Sequence, residues 1–366
     1  MKRVLFIFLC TLAICIPLFA GGGSQGGGTS SQADDPAKPL VINGKPAQVV
    51  FLANEVSSAW QAASTGFLGN LVTRAGGRYN LQSCDLKPEE QAQQAQNLLV
   101  TRPDIVVIKP ADSGAVVPAI RQLNQANIPV LSIDVKPDSG CEVLTHIQSN
   151  QFELGGLGAQ YIADKFRKEG KVAKVISIMG QLEIVLGRER QQGFEDVAAK
   201  NSDVIQMLDY KVEAKWDNNA AYIATKDGFS KHPDANAIFV MSDCMLVGVL
   251  QALREIGKLY PVDNPNHITI ASIDADENGI KAINDGYLDV AVEHNAALHS
   301  DIAARVIVDY LHGKSIPKEI IFEPFVVTRA NVNDPARWGA ADLKAVNTWP
   351  PMKHDRYVSQ FANTAF

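Results

Sequence analysis

The chain has 366 residues, 46% of them hydrophobic and 20% charged, which excludes a disordered or fibrous protein and implies two domains of about 150 residues or more each. Its formal charge of −6 lacks the basic surplus needed to neutralise phosphates, so nucleic acid and anionic membrane surfaces are excluded as partners.

Lys2 and Arg3 precede an apolar run from Val4 to Phe19 that stops at Leu18-Phe19-Ala20. About 16 residues is short for a span of roughly 20, so residues 1–20 read as a secretory signal peptide and the mature chain as exported. A lipoprotein cleavage at Leu12-Ala13-Ile14-Cys15 ranks second, because Ile14 is bulkier than the residue such a site takes. Residues 21–45, rich in Gly, Ser, Gln, Asp and Pro, read as a flexible linker. Cys10 and Cys15 lie in the leader; Cys84, Cys141 and Cys244 remain. Three is odd, the spacing matches no zinc pattern, and buried free thiols are the plainer reading.

From Gln48 onward β-branched runs alternate with amphipathic stretches, the pattern of parallel sheets covered by helices. Val49 to Ala53 is the first strand, with a helix to about Ala75 that stops at Gly76-Gly77. Tyr79 to Cys84 precedes a helix from Pro88 to about Val100. Asp104 to Ile108 is followed by a helix through Val116, Val117, Ile120 and Leu123, then by the strand Pro129 to Asp134. The rhythm restarts at Val172 to Met179, Val204 to Leu208, Ala237 to Met241, Ile268 to Asp274 and Leu288 to Glu293. The halves echo each other: Val130-Leu131-Ser132-Ile133-Asp134 parallels Ile270-Ala271-Ser272-Ile273-Asp274. Ligands of open parallel sheets sit outside the carboxyl ends of strands, so Asp134 and Asp274 are expected on the ligand edges of two sheets that face across a cleft.

Enzyme signatures are sparse. There is no phosphate-binding Gly-rich loop with Lys and Ser/Thr, no His-Glu-x-x-His and no metal-spaced Cys/His cluster. Gly22-Gly23-Ser24-Gln25-Gly26 fits a nucleophile elbow in letters only, since it lies in the linker rather than between a strand and a helix. Gly156-Leu157-Gly158 reads as helix packing. What remains suits a polar, uncharged small molecule: carboxylates that accept from hydroxyls, an Arg that donates, and aromatic faces for C–H surfaces. Trp60 follows the first strand in Asn54-Glu55-Val56-Ser57-Ser58-Ala59-Trp60, and is either a site or a core residue. Trp216 lies in a polar strand-to-helix connection. Arg188, in Gly187-Arg188-Glu189-Arg190 at a helix start, opposes the dipole and so has a functional reading, with Arg190 as a solvated neighbour. Asp134 and Asp274 read alternatively as helix caps, and His294 as a satisfied interdomain histidine rather than a metal ligand.

The stretches Val107-Ile108-Lys109-Pro110 with Ala111-Asp112-Ser113, Asn127 to Asp134, His146 to Asn150 with Gly155-Gly156, Arg188-Glu189-Arg190 with Gly193-Phe194, and Ser272-Ile273-Asp274 occur together and in order. With them the chain, from about Gln48 to Val327, resembles the periplasmic sugar-binding proteins of ABC transporters, in the ribose/galactose-binding group related to the lac-repressor core. The resemblance implies an α/β fold of two doubly wound parallel-sheet domains joined by a three-crossing hinge, the type I periplasmic binding protein. It implies crossings near His146 to Asn150, Glu293 to Asn295 and Glu323 to Val326, with one lobe of 46–147 plus 295–323, a second of 148–294 plus 324–330, and an extension of 331–366 whose aromatics Trp338, Trp349 and Tyr357 suggest packing on the body. It further implies ligand contacts from Asp134, Arg188 and Asp274, stacking by Trp216, and a first-lobe wall from Asn54 and Trp60. Val135, Ser242 and His294 stand where ribose binders carry Arg, Asn and Gln, and Ile184 where galactose binders carry Asp. A pentose, hexose or polyol other than ribose or galactose is therefore expected.

The implied protein is not an enzyme. It is a periplasmic, monomeric receptor without cofactor that closes over one solute and serves an ABC permease, with a chemotaxis receptor as a further partner. An exported carbohydrate-active enzyme or a chemosensory receptor using the same cleft is the alternative. A DNA-binding regulator would need a helix-turn-helix before residue 46, where a signal and linker stand instead.

Overall fold

The computed structural model describes residues 35–334 and 337–340; the signal peptide, Cys15, Trp349 and Tyr357 lie outside the described residues. The chain enters through a small hairpin, β1 (Val41–Ile42) paired antiparallel with β2 (Lys45–Pro46). This corrects the expectation of a flexible linker to residue 45. Asn43 and Gly44 both take positive φ, as a two-residue hairpin turn requires, and Leu40 before it is fully buried.

The first lobe then builds β3 (Gln48–Ala53), α1 (Ala59–Arg74), β4 (Arg78–Ser83), α2 (Pro88–Thr101), β5 (Ile105–Ile108), α3 (Val117–Gln125), β6 (Val130–Ile133) and β7 (His146–Ser149). A crossing leads to α4 (Gln151–Glu169), β8 (Ala173–Met179), α5 (Val185–Lys200), β9 (Ile205–Glu213), α6 (Asn218–Lys231), β10 (Ala237–Val240), α7 (Asp243–Glu255), β11 (Thr269–Asp274), α8 (Glu277–Asn284) and β12 (Val290–Glu293). The chain returns through α9 (Ala296–Leu311) and β13 (Glu319–Phe322) to the first sheet, and crosses once more to β14 (Phe325–Val327) in the second.

The two six-stranded sheets run β13-β7-β6-β5-β3-β4 and β14-β12-β11-β10-β8-β9, parallel throughout except for β14 on β12. Central strands are buried on both faces, as parallel sheets require. Along β5, Ile105 and Val107 enter one hydrophobic cluster while Val106 and Ile108 enter another on the opposite face. In each sheet the order reverses beside its first strand, between β3 and β5 and between β8 and β10, which places the carboxyl-end crevices at those switch points.

Asn150 and Asn295 sit at two crossings and cap the helices that follow, accepting from Glu153 N at 3.2 Å and Leu298 N at 2.8 Å. Besides the hairpin, three strands lay outside the sequence reading: β7 and β14, read there only as crossings, and β13. Among the described residues no helix is long and apolar enough to cross a membrane.

Candidate functional site

The strand ends of the two sheets meet around one cavity of about 280 Å³, near the lower edge of the roughly 300–1,000 Å³ typical of small-molecule sites. From the first lobe, Asn54 follows β3, and its side-chain oxygen accepts from Gln61 and from Glu55 N. Trp60 lies in the first turn of α1, whose N-cap is Ser58. Its indole donates to the His294 carbonyl at 2.7 Å. The His294 ring stacks on it at 4.6 Å and the Lys109 ammonium lies 4.2 Å over its centre. The indole borders the cavity, but much of its aromatic surface is engaged by the protein itself.

Asp134 adopts φ 60°, and Val135 N donates to Ile133 O at 2.7 Å, a strained γ-turn of the kind found at functional sites. Its carboxylate, 2% exposed, meets the Lys109 ammonium at 2.5 Å, His294 Nε2 at 2.9 Å and Gln151 Nε2 at 3.2 Å. Burial alone would raise its pKa, but the charges of Lys109 and His294 prevail and hold it well below the usual carboxylate range. Asp134, His294 and His299 place donor atoms within 4.8 Å of one another. With the Lys109 ammonium on Asp134 and the Arg190 guanidinium 3.0 Å from His294 Nδ1, two cations already occupy that set, which does not suit a metal ion.

In the second lobe, α4 and α5 pack backbone to backbone. A Cβ on Gly155 would lie 1.9 Å from Arg190 O, and one on Gly193 1.8 Å from Phe152 O. This approach carries Arg190 onto α4, where its Nε donates to Gln151 Oε1 at 2.8 Å; its other nitrogens reach Met241 O at 3.1 Å, His294 Nδ1 at 3.0 Å and Asp274 Oδ1 at 3.8 Å.

The expectation for Arg188 is corrected here. It is exposed and donates to the carbonyls of Leu182 and Glu183 at 2.8 and 2.9 Å, while Arg190 is 3% exposed and borders the cavity. Two residues along an α-helix turn by about 200°, so only one of the pair can face inward. The inward phase is that of Gly187, Gln191 and Phe194, all buried.

Trp216 borders the cavity from the β9–α6 connection with φ 65°. Its indole lies against Gly180, where any Cβ would come within 1.9 Å of the ring. Ser242 caps α7 and donates its hydroxyl to Asp274 Oδ2. Asp274 ends β11 at φ 109°, faces His294 Nδ1 at 3.2 Å, and leaves the capping of α8 to Asp276. Burial and the Asp274 charge raise Asp276 to about 6; burial, with Asp276 and Asp274 nearby, lifts the carboxyl of fully buried Asp243 well above its ordinary range.

Of the residues singled out from sequence, Asn54, Trp60, Asp134, Trp216, Ser242, Asp274 and His294 all line this cavity, and Arg188 does not. Lys109, Gln151 and Arg190 were missed as participants. The inward phase of α5 could have found Arg190; Lys109 and Gln151 carry no sequence signal, since a Lys after a buried strand and a Gln opening a helix both read as solvated. The chain beyond β14 also reaches the site. Arg337, fully buried, pairs with Glu293 and lies 4.0 Å over the Phe325 ring, and the Trp338 indole donates to Asp274 O at 2.8 Å.

A family model described as a periplasmic binding protein domain matches residues 49–315. Over 230 residues the chain is 34% identical to the ribose import binding protein of Escherichia coli, covering 62% of this chain and 72% of that protein. It is 22% identical to the fructose import binding protein of Bifidobacterium longum over 86% of this chain and 91% of that one. Among solved structures, a galactofuranose binding protein superposes with a TM-score of 0.72 at 20% identity, covering 79% of this chain and 97% of that chain. A Caulobacter myo-inositol binding protein bound to myo-inositol gives 0.71 at 21%, over 80% and 97%.

Proposed function

Because the chain belongs to the periplasmic binding protein family, we propose that it captures one monosaccharide or polyol between its lobes and delivers it to an ABC permease. The observation that carries this reading is the single cavity bordered by Asp134 and Lys109 from one lobe and by Arg190 and Asp274 from the other, with His294 of the crossing between the two aspartates. Two carboxylates, a guanidinium and an ammonium supply acceptors and donors for vicinal hydroxyls. Their opposite charges are already paired inside the site, which favours an uncharged guest.

Closure follows from the distribution of these groups. A ligand shifts the lobe equilibrium only by the difference in its affinity for the open and closed states, and a guest that touches both lobes gains its second set of contacts only on closing. Lys109 and His294 keep Asp134 ionised, so this carboxyl is unsuited to the proton donation that glycoside hydrolysis needs. The named relatives in ribose and fructose import support a role as the extracytoplasmic component of an importer; we propose further that it acts as a single copy in the periplasm and that a chemotaxis receptor reads the same closed form.

The test is a thermal-shift panel of monosaccharides and polyols with recovery of the sugar afterwards. A guest present at 100 times its dissociation constant adds about 2.7 kcal/mol of stability and is recovered unchanged. Consumption of the sugar, or a panel that leaves the melting point unmoved, rejects the reading.

A further inference from the structure

Three apolar side chains form a hydrophobic cluster of their own on the cavity wall. Val135 comes from the first lobe, Ile184 and Leu186 from the second, and Trp216 packs against them. None is more than 5% exposed except Trp216, which is partly buried.

Local structure shows that this wall is not incidental. Successive residues of a strand point to opposite faces, yet the γ-turn at Asp134 lets Asp134 and Val135 both border the cavity. Ile184 occupies the N-cap of α5 and makes no capping hydrogen bond. That position favours Ser, Thr, Asp or Asn, and breaking a local rule without local compensation points to a role elsewhere, here the cavity wall. Lys215, which also borders the cavity, directs its ammonium to Glu183 at 3.0 Å.

The polar groups of the site form a separate network centred on His294. It joins Asp134, Gln151, Arg190 and Asp274. The guest therefore meets two chemically different surfaces. Hydroxyls on one side find partners, whereas a hydroxyl turned to the wall surrenders its water and finds no donor or acceptor among Val135, Ile184 and Leu186.

Resting on the reading of the cleft as a sugar site, we propose that the solute presents a carbon without a hydroxyl to this wall, making deoxy sugars the preferred class. A hydroxyl at the wall weakens binding by about 10- to 100-fold, the range by which hydrophobic pockets discriminate small groups.

Isothermal titration with three matched pairs tests this: D-fucose against D-galactose, L-rhamnose against L-mannose, and 5-deoxy-D-ribose against D-ribose. The proposal expects the deoxy member to bind at least tenfold tighter in every pair that binds, and Ile184→Asp to narrow or reverse that ratio in a variant whose sugar-free melting point shows it folded. A hydroxylated member binding as tightly or more tightly overturns it, and so does an Ile184→Asp variant that folds and keeps the ratio. If Ile184→Asp fails to fold, the wild-type ratios alone decide. If none of the six sugars binds while another sugar or polyol of the thermal-shift panel does, the deoxy preference fails and the sugar-binding reading stands; if nothing in the panel binds, the sugar-binding reading itself fails.

Discussion

Replacing Arg190 by alanine, with Arg188→Ala as its control, separates two arginines that sequence alone leaves interchangeable. Arg190 is 3% exposed, donates at 2.8 and 3.1 Å to Gln151 and Met241, and stands 3.8 Å from Asp274. Its loss takes the guanidinium from beside the Asp274 carboxylate, 4% exposed, which keeps only His294 and Ser242, and leaves two buried acceptors without their donor. Breaking a buried ion pair from one side costs about 3–5 kcal/mol. At about 2–4 °C per kcal/mol, the melting point of the sugar-free protein falls by roughly 6–20 °C. Arg188 serves two carbonyls at the surface, so its truncation stays within about 0.5 kcal/mol. Scanning calorimetry without sugar, then with whichever panel sugar shifts the wild type most, reads both effects. Arg190→Ala loses stability and the sugar-induced shift, and Arg188→Ala keeps both. Equal damage from the two, or greater damage from Arg188→Ala, refutes the placement of α5 and the site built on it.

Further outcomes follow from neighbouring contacts. Gly193→Ala places a methyl 1.8 Å from Phe152 O, forces α4 and α5 apart and costs at least about 1–3 kcal/mol, measurable by urea titration. Arg337→Met removes the guanidinium that pairs with buried Glu293 and lowers stability by about 3–5 kcal/mol; an unchanged urea midpoint contradicts the docking of this segment. His299 is pushed down from 6.5 to about 3 by burial and by the His294 charge, with Asp134 opposing. Between those pH values the unfolded chain holds a proton that the folded chain does not, so stability is full above about 6.5 and declines as the pH falls. His299→Leu reduces that acid-side slope by about one proton; an unaltered slope shows that His299 does not titrate as described.

The fold was legible because its signals are strong and local. Four-residue buried runs such as Ile105–Ile108 and Ala237–Val240 have few alternatives to central parallel strands, and the twin Ser-Ile-Asp strand ends marked both ligand edges. The hairpin at Asn43-Gly44 was legible too, but was hidden by its polar surroundings. The choice between Arg188 and Arg190 was not settled by residue type, because Gly155 and Gly193 set the approach of α4 and α5 that brings Arg190 onto α4, and their role appears only when two helices touch. Lys109 and Gln151 act through partners 17 to 143 positions away, a separation that periodicity does not encode. Positive φ at Asp134, Trp216 and Asp274 breaks the usual preference of non-glycine residues and belongs to tertiary structure alone.

The most direct measurement is a crystal structure of the protein grown with the sugar that stabilises it most. The account predicts electron density for one molecule in the cavity, with hydroxyls on Asp134 and Lys109 from one lobe and on Arg190 and Asp274 from the other. Density confined to a single lobe, or lying elsewhere on the surface while this cavity holds only water, contradicts it.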